Sequence, residues 1–417
     1  MKFAIITNDE HLSSLSHVDP SQLMSTISNT NKNICILDYY PDSNVSSQLV
    51  QEGFKIILLS DLIRQASAVT IPNFSDIMNR EENPISSVDL TNFYKGKTVF
   101  VTGGEGFIGS EIVDNLLRLS IEKVIVYGHG ENSASTLCKK YHQDKRFEFI
   151  LGDIRDKHKL FKSIKNSHPN IVFHAAAHKH VPVLELYPEE AIKTNVIGTV
   201  NTIEAAIAAS VEHFVLVSTD KAVNPISALG ASKRIAEKIC LAMDEFVPNM
   251  HITTVRFGNV FGSVGSVVPI FLDQIAHNTP LTITDPLMLR YFMSVNEAAR
   301  LVLLAVTTEE GNLFSFDMGD SISIGKLAQR LVEYIGFKFD IKDVSIIGNR
   351  GGEKDAEELT YVFEQILTSK HEKLFALRNT EQSWTQDQVK EVCETLSHVM
   401  VHGSCDEILE SLQKYIP

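Results

Sequence analysis

Residues 97–111 read KTVFVTGGEGFIGSE and constrain the fold more than any other stretch of the chain. Thr98 to Val101 is a short apolar, β-branched run, the composition of a buried parallel strand. Gly103, Gly106 and Gly109 follow in Gly-x-x-Gly-x-x-Gly spacing, and a helical pattern runs from Ser110 to Leu119. Each glycine answers a geometric need: a tight turn out of the strand, close backbone approach to a pyrophosphate, and close packing of helix on strand. The helix N-terminus would add free N–H groups and a positive dipole end for phosphate. Glycine-rich turns that bind nothing are common. Here, however, strand, turn and helix stand in the order a dinucleotide site requires.

The alternation continues downstream. Lys123–Tyr127, Phe147–Leu151, Ile171–His174 and His213–Ser218 are short apolar runs separated by longer helical patterns. This predicts an α/β fold with a doubly wound parallel sheet and right-handed crossovers. Ligands in such sheets sit at the carboxyl ends of the strands. The pattern places a dinucleotide-binding (Rossmann) domain at 97–260. A smaller C-terminal substrate-binding subdomain is expected at 261–369, with some of its chain returning to the sheet. A helical tail at 370–417 follows, with helices near Ser383–Val399 and Cys405–Tyr415. Ahead of the sheet, residues 1–70 read as a small α/β appendage with candidate strands Phe3–Thr7, Ile34–Leu37 and Phe54–Leu59. Residues 71–96 read as a linker with one short helix near Phe74–Asn79.

Bulk properties narrow the class of partner. The net charge of -14 argues against a general nucleic-acid binder or a binder of anionic membranes. No run of about 18 apolar residues is present to span a bilayer. The N-terminus lacks the basic-then-apolar pattern of a signal peptide. The five cysteines are scattered without metal-ligand spacing, as expected of reduced thiols in a cytoplasm. His174, His178 and His180 form no helical ligand pair and read as packing or polar lining, so no metal is expected. A cytoplasmic homo-oligomer without membrane insertion is the expectation.

Two positions bear on the cofactor. An acidic residue about 20 residues beyond the glycines commonly meets the adenosine ribose. Here Gly128 stands at that point, with no nearby Arg to hold a 2′-phosphate. NAD is expected, and NADP is left open. Asp153, at the end of the third strand, could cap the adenine amino group or be an ordinary turn carboxylate. The fifth strand runs into Ser218-Thr219-Asp220-Lys221, an acid and a base side by side at a strand end.

Several motifs then stand in a recognisable order. They are HAAAHKHVP at 174–182, KTNVIGT at 193–199, STDKAVNP at 218–225 and VRFGNVFGS at 255–263, then GSVVP at 265–269, RYFM at 290–293 and RGGEK at 350–354. Together they resemble the configuration-retaining UDP-N-acetylglucosamine 4,6-dehydratases of the polysaccharide-biosynthesis branch of extended short-chain dehydrogenases. The resemblance covers roughly residues 72–365. Many members of that branch carry membrane helices before the catalytic part, where this chain has a short segment without them. Short-chain dehydrogenases carry Tyr-x-x-x-Lys after the fifth strand; Lys233 matches the lysine, and Leu229 stands at the tyrosine position. That branch commonly replaces the tyrosine by methionine. Gly351 stands where the family usually has proline.

The resemblance implies a hidden redox cycle. Hydride leaves C4 of the sugar, the resulting ketone acidifies C5, water is expelled from C6, and hydride returns to C6. Lys221 would be the C5 base, its pKa lowered toward neutrality by a cationic nicotinamide and by Lys233. Asp220 would be the acid, kept protonated by burial beside an anionic diphosphate. Thr219 would hydrogen-bond the C4 oxygen, and Lys233 would hold the nicotinamide ribose. Further cofactor contacts are expected from Gly103, Gly106, Phe107, Ile108 and Gly109 in the turn, and from His129, Asp153 and Ile154 after the next two strands. Ala175, Ala176 and Ala177 after the fourth strand, and Asn195, complete them. On the UDP-sugar side, Lys179 would approach the substrate, and Asn259, Arg290 and Arg350 would face the diphosphate. Val268 and Pro269 would flank the uracil, and Glu353 would accept from the uridine ribose. Two alternatives remain: a nucleotide-sugar 4-epimerase, which oxidises C4 without needing an acid–base pair for elimination, and a catalytically inactive nucleotide-sugar-binding regulatory protein.

Overall fold

A computed structural model of the chain describes residues 71–82, 87–308, 310–340, 344–348, 351–367 and 371–416, together with Gln51 and the strand backbones Phe3–Ile6, Ile34–Leu37 and Lys55–Leu58. A nine-stranded sheet dominates it. Its strands in chain order are β1 Thr98–Thr102, β2 Lys123–Gly128, β3 Phe147–Leu151, β4 Ile171–His174, β5 His213–Val217, β6 His251–Arg256, β7 Leu313–Phe316, β8 Glu364–Leu367 and β9 Leu374–Asn379. In space they run β8-β9-β7-β6-β5-β4-β1-β2-β3. From β3 to β7 every pairing is parallel, and β9 and β8 close one edge antiparallel. This is the doubly wound order, and the chain reverses direction across the sheet between β1 and β4. Such a reversal leaves a crevice at the carboxyl ends of those two strands, where ligands bind.

The apolar runs foreseen in the sequence form the strands because both sheet faces are covered. Alternate residues of one strand enter opposite cores: Phe100 and Ile125 point into one, Val99, Val101, Val124 and Val126 into the other. The first core is closed by helices Lys157–Ser167, Gly198–Ala208 and Ala228–Phe246, and by the tail helices Gln386–His402 and Cys405–Gln413 through Leu396 and Leu412. The second is closed by Phe107–Leu117 and Val295–Ala305.

Three stretches carry detail beyond the sequence expectation. Residues 71–96 hold a second helix, Ser87–Tyr94, beside the foreseen Phe74–Met78. Tyr94 is fully buried, and its hydroxyl donates to Leu303 O at 2.8 Å, so the helix Ser87–Tyr94 packs into the second core. The tail is not helical throughout: β9 inserts between β7 and β8, its Leu374 and Ala376 buried. Residues 261–369, expected to form a subdomain with some chain returning to the sheet, are shared between two compact units. Gly265–Thr282 and Ala328–Ser345 group with the described residues up to Ile77, and the remainder groups with the nine-stranded sheet. In the smaller unit the strands Phe3–Ile6, Ile34–Leu37 and Lys55–Leu58 pair in parallel in chain order. No helix among the described residues is long and apolar enough to cross a membrane.

Candidate active site

The glycine turn leaves β1 at the topological switch. Gly103 N donates to Tyr127 O at 2.8 Å, and its φ of +65° suits glycine. A Cβ there would lie 2.7 Å from Ala176 Cα, so the loop after β4 runs directly against the turn after β1. Gly109 is needed for another reason. A Cβ there would meet Gly103 O at 2.2 Å, so only glycine lets the helix Phe107–Leu117 sit on its own turn. Gly106 begins that helix in extended geometry with no side-chain cap. Its first turn, with Phe107 and Ile108 half-buried, therefore offers bare N–H groups and the positive end of a dipole. These features fit a pyrophosphate.

The neighbouring strand ends are differently furnished. Gly128 carries no side chain, and its place is taken by the carboxylate of Glu105, which reaches over from the glycine turn. Glu105 Oε1 accepts from Gly130 N at 3.1 Å, while Oε2 is buried without a hydrogen-bond partner. Sequence reasoning sought an acid at the end of β2 and missed one arriving from β1. His129 is exposed beside it. Asp153 holds Arg155 in a two-oxygen fork, with Nη2 at 2.6 Å from Oδ2. Burial opposes ionisation of Asp153, but the Arg155 bonds outweigh it and hold the carboxyl below its usual range. Ile154 is buried against Gly198.

After β4, Ala175 and Ala176 are half-buried and Ala177 is exposed. Asn195, on the π-helical turn Ile192–Ile197, grips the loop that follows them: Oδ1 accepts from His178 N at 2.9 Å, and Nδ2 donates to His178 O and Ser232 Oγ. Asn195 thus shapes the crevice wall through backbone. His174 is buried between Thr102 and Thr199, and burial followed by the nearby Lys233 charge lowers its pKa to about 3. It is a neutral polar strut.

The chemistry-bearing turn follows β5. Thr219 opens a short 3-10 turn, Asp220–Ala222, accepting weakly from Lys221 N at 3.4 Å and donating to Asp220 Oδ1 at 2.9 Å. Asp220 is fully buried; its Oδ1 also accepts from Lys221 Nζ at 3.0 Å, and its Oδ2 has no partner. Lys221 Nζ further donates to Asn259 Oδ1 at 3.0 Å and lies 3.7 Å from Glu357 Oε1. Within the chain itself these neighbours set the Lys221 pKa. Burial pulls it down, but the charges of Asp220 and then Glu357 outweigh burial, and the net shift is upward. Glu357 itself was not singled out in the sequence, where it is one of many acids in 351–364. It is buried, its Oε2 is unpartnered, and Arg290 Nε lies 3.9 Å from its Oε1.

Two elements hold this turn in place. Lys233 is buried on the helix Ala228–Phe246 and donates to Val217 O at 2.7 Å, with burial lowering its pKa to about 8. Gly230 on the same helix lies so close to the turn that a Cβ would stand 2.3 Å from Lys221 O. Leu229 is buried in the first core, an apolar neighbour where a tyrosine would have presented a phenol. From the other side, Tyr361 donates to Ala222 O at 2.9 Å and Lys354 to Val223 O at 2.6 Å. Beneath lies a buried ionic network: Ser218 and Arg256 both meet Glu237, and Arg256 also meets Glu364.

The expected substrate residues divide. Asn259, Arg290 and Lys221 converge, with Asn259 on the lysine and Arg290 bonded to Leu289 O and Met288 Sδ. Lys179 donates to Val264 O at 2.8 Å. Glu353 is half-buried next to Lys354. Val268 and Pro269 lie on the helix Val267–Ala276 of the other compact unit, where Val268 is fully buried. Arg350 lies outside the described residues. Among the described residues, no cluster of three or more His, Cys, Asp or Glu side chains could hold a metal ion.

Known proteins share this chain's sequence and fold. The probable polysaccharide biosynthesis protein EpsC of Bacillus subtilis is 42% identical over 301 residues, covering 71% of this chain and 50% of that protein. The chain thus spans about half the length of this curated relative. The X-ray structure of Pen from Bacillus thuringiensis superposes with a TM-score of 0.63 at 30% identity, over 73% of this chain and 98% of that one. The UDP-glucose 4-epimerase of Thermus thermophilus, solved in complex with NAD, superposes with a TM-score of 0.56 at 25% identity, over 63% and 90%. The family model described as polysaccharide biosynthesis protein matches residues 99–379, from the glycine-turn strand to the last strand of the sheet, and the chain belongs to that family.

Proposed function

We propose that this chain is an NAD-dependent nucleotide-sugar 4,6-dehydratase acting on UDP-N-acetylglucosamine. The observation that carries the reading is the pair of buried Asp220 and half-buried Lys221 at the end of β5, Oδ1 to Nζ 3.0 Å, with Asp220 Oδ2 unpartnered. Elimination of water from C5 and C6 needs a base and an acid at adjoining carbons, and this pair supplies both. Bound at the glycine turn, NAD would supply the capacity to accept hydride from C4 and return it to C6.

The raised pKa of Lys221 states the difficulty a base would have here. The pair itself resolves it. Passing one proton from Lys221 Nζ to Asp220 leaves a neutral amine beside a neutral carboxylic acid, a pairing that a buried site tolerates because neither member is charged. Lys221 then takes the C5 proton, and Asp220 gives its proton to the departing C6 oxygen. The ammonium and carboxylate are thereby restored, and one water leaves. Thr219, donating to Asp220 Oδ1, holds the acid in register. Lys233, with a pKa of about 8, keeps a positive charge near the nicotinamide ribose through most of the neutral range.

Incubation with UDP-N-acetylglucosamine should give a product lighter by one water and carrying a 4-keto, 6-deoxy sugar. A 4-epimerase is the second reading, favoured by the likeness to an NAD-bound UDP-glucose 4-epimerase. It would return an isomer of unchanged mass. An inactive nucleotide-sugar-binding regulator would return substrate unchanged.

A further inference from the structure

The glycine turn contains a carboxylate that the turn does not use for its own structure. Glu105 extends from the turn to the end of β2, where Oε1 is anchored by Gly130 N at 3.1 Å. Its Oε2 is buried and accepts no hydrogen bond. The carboxylate fills the space a side chain at 128 would need: a Cβ built on Gly128 would lie 1.8 Å from Glu105 Oε2 and 2.1 Å from its Cδ. A side chain at 128 therefore requires the Glu105 carboxylate to leave this position. In dinucleotide-binding sheets, the end of the second strand is where an acidic side chain accepts from the adenosine ribose hydroxyls.

Resting on the reading of this turn as a dinucleotide site, we infer that Glu105 supplies the ribose-binding carboxylate from the first strand's turn instead of the second strand's end. It thereby selects a dinucleotide with a free 2′-hydroxyl over one with a 2′-phosphate. A ribose hydroxyl would give the buried Oε2 the donor it lacks. A 2′-phosphate would instead bring a second anion against a fixed carboxylate. Arg155, the guanidinium after β3, is not free to neutralise it: Nε and Nη2 bind Asp153, and Nη1 binds Glu190.

The test is calorimetric titration of the full chain, freed of nucleotide, with NAD and with NADP. Wild type is compared with Glu105→Gln, Gly128→Asp and the double variant Glu105→Gly/Gly128→Asp, each checked by thermal melting. Wild type should bind NAD at least about 10-fold more tightly than NADP, the usual weight of a hydrogen bond to a charged group. Glu105→Gln should narrow that ratio by roughly 10-fold or more. Gly128→Asp alone should weaken both cofactors, because two carboxylates then compete for one space. The double variant, which moves the carboxylate to the strand end, should restore the preference for NAD. Wild type preferring NADP, or Glu105→Gln melting normally with its ratio unchanged, would overturn the assignment and leave the dinucleotide site standing. Should Glu105→Gln not fold, the double variant decides: a retained NAD preference supports the exchange of positions, and a lost one overturns it. Binding of neither cofactor by wild type would overturn both readings.

Discussion

At Asp220 and Lys221, the proposed acid and base sit 3.0 Å apart, and their separate removal distinguishes the two roles. Asp220→Asn should retain cofactor and C4 oxidation but lose water elimination by about 10²–10⁴-fold, the usual contribution of a general acid. Lys221→Ala should stop the earlier loss of the C5 proton. In deuterated water, reversible C5 exchange should thus survive in the first variant and vanish in the second, read by mass spectrometry of recovered substrate. Near-normal water loss in either would remove that residue from the mechanism. Glu357 enters through the lysine. With Oε1 3.7 Å from Nζ, it helps hold the ammonium charged. In Glu357→Gln the Lys221 pKa should fall, so the acidic limb of the kcat/KM profile should move to lower pH by roughly one unit. An unmoved limb with intact folding would assign Glu357 to packing alone. Lys233 offers a pH test of stability in the nucleotide-free protein. Its folded pKa, about 8, lies below the ordinary lysine value of 10.5. Between those two values the unfolded chain binds more protons, so stability rises with pH across that window and is flat below it. Lys233→Met should abolish that rise, which is about 3 kcal/mol by the linkage relation, in denaturant melts from pH 7 to 11.

The helix Ala228–Phe246 sets the distance between the acid–base turn and the rest of the crevice through one glycine. Gly230→Ala puts a Cβ within 2.3 Å of Lys221 O, and backbone cannot yield as a flexible side chain would. Overpacking of this kind costs about 1–3 kcal/mol. The variant should melt lower and turn over at least tenfold more slowly, because the displaced residue is the proposed base. Gly311→Ala is the control: its nearest neighbour would be Ala376 Cβ at 3.9 Å, and both properties should stay near wild type. Element existence along 97–240 was legible from sequence because the inner strands β1, β2, β4 and β5 are buried on both faces and so read as apolar runs. Ser87–Tyr94 was not legible, since its polar, asparagine- and serine-rich surroundings look like a connector. Residues distant in the chain, Phe173 and Leu303 among them, make Tyr94 a core residue.

Across the whole molecule, the chain's last residues complete the first core. Leu396 and Leu412 are fully buried among residues of the Rossmann helices. Leu396→Ala should therefore destabilise the entire sheet domain by about 2–5 kcal/mol in one cooperative transition, rather than fray a tail. A separate early transition in denaturant melts, with the sheet unaffected, would show the tail to be independent. The Arg256–Glu237–Glu364 network has the same reach, tying β6 and β8 to the helix under the acid–base turn.

Local pattern alone determined the strand–glycine–helix unit, the order of the alternating strands and the acid–base dipeptide after the fifth. Each depends on residues near in sequence, where spacing maps directly onto geometry. The tertiary structure decided what depends on residues distant in sequence. It brought Glu357 beside Lys221, from a segment more than a hundred residues on, to add to the charge of Asp220 in raising the lysine's pKa. It also put the Glu105 carboxylate over Gly128, since adjacent parallel strands bring the ends of β1 and β2 together however far apart they lie in the chain.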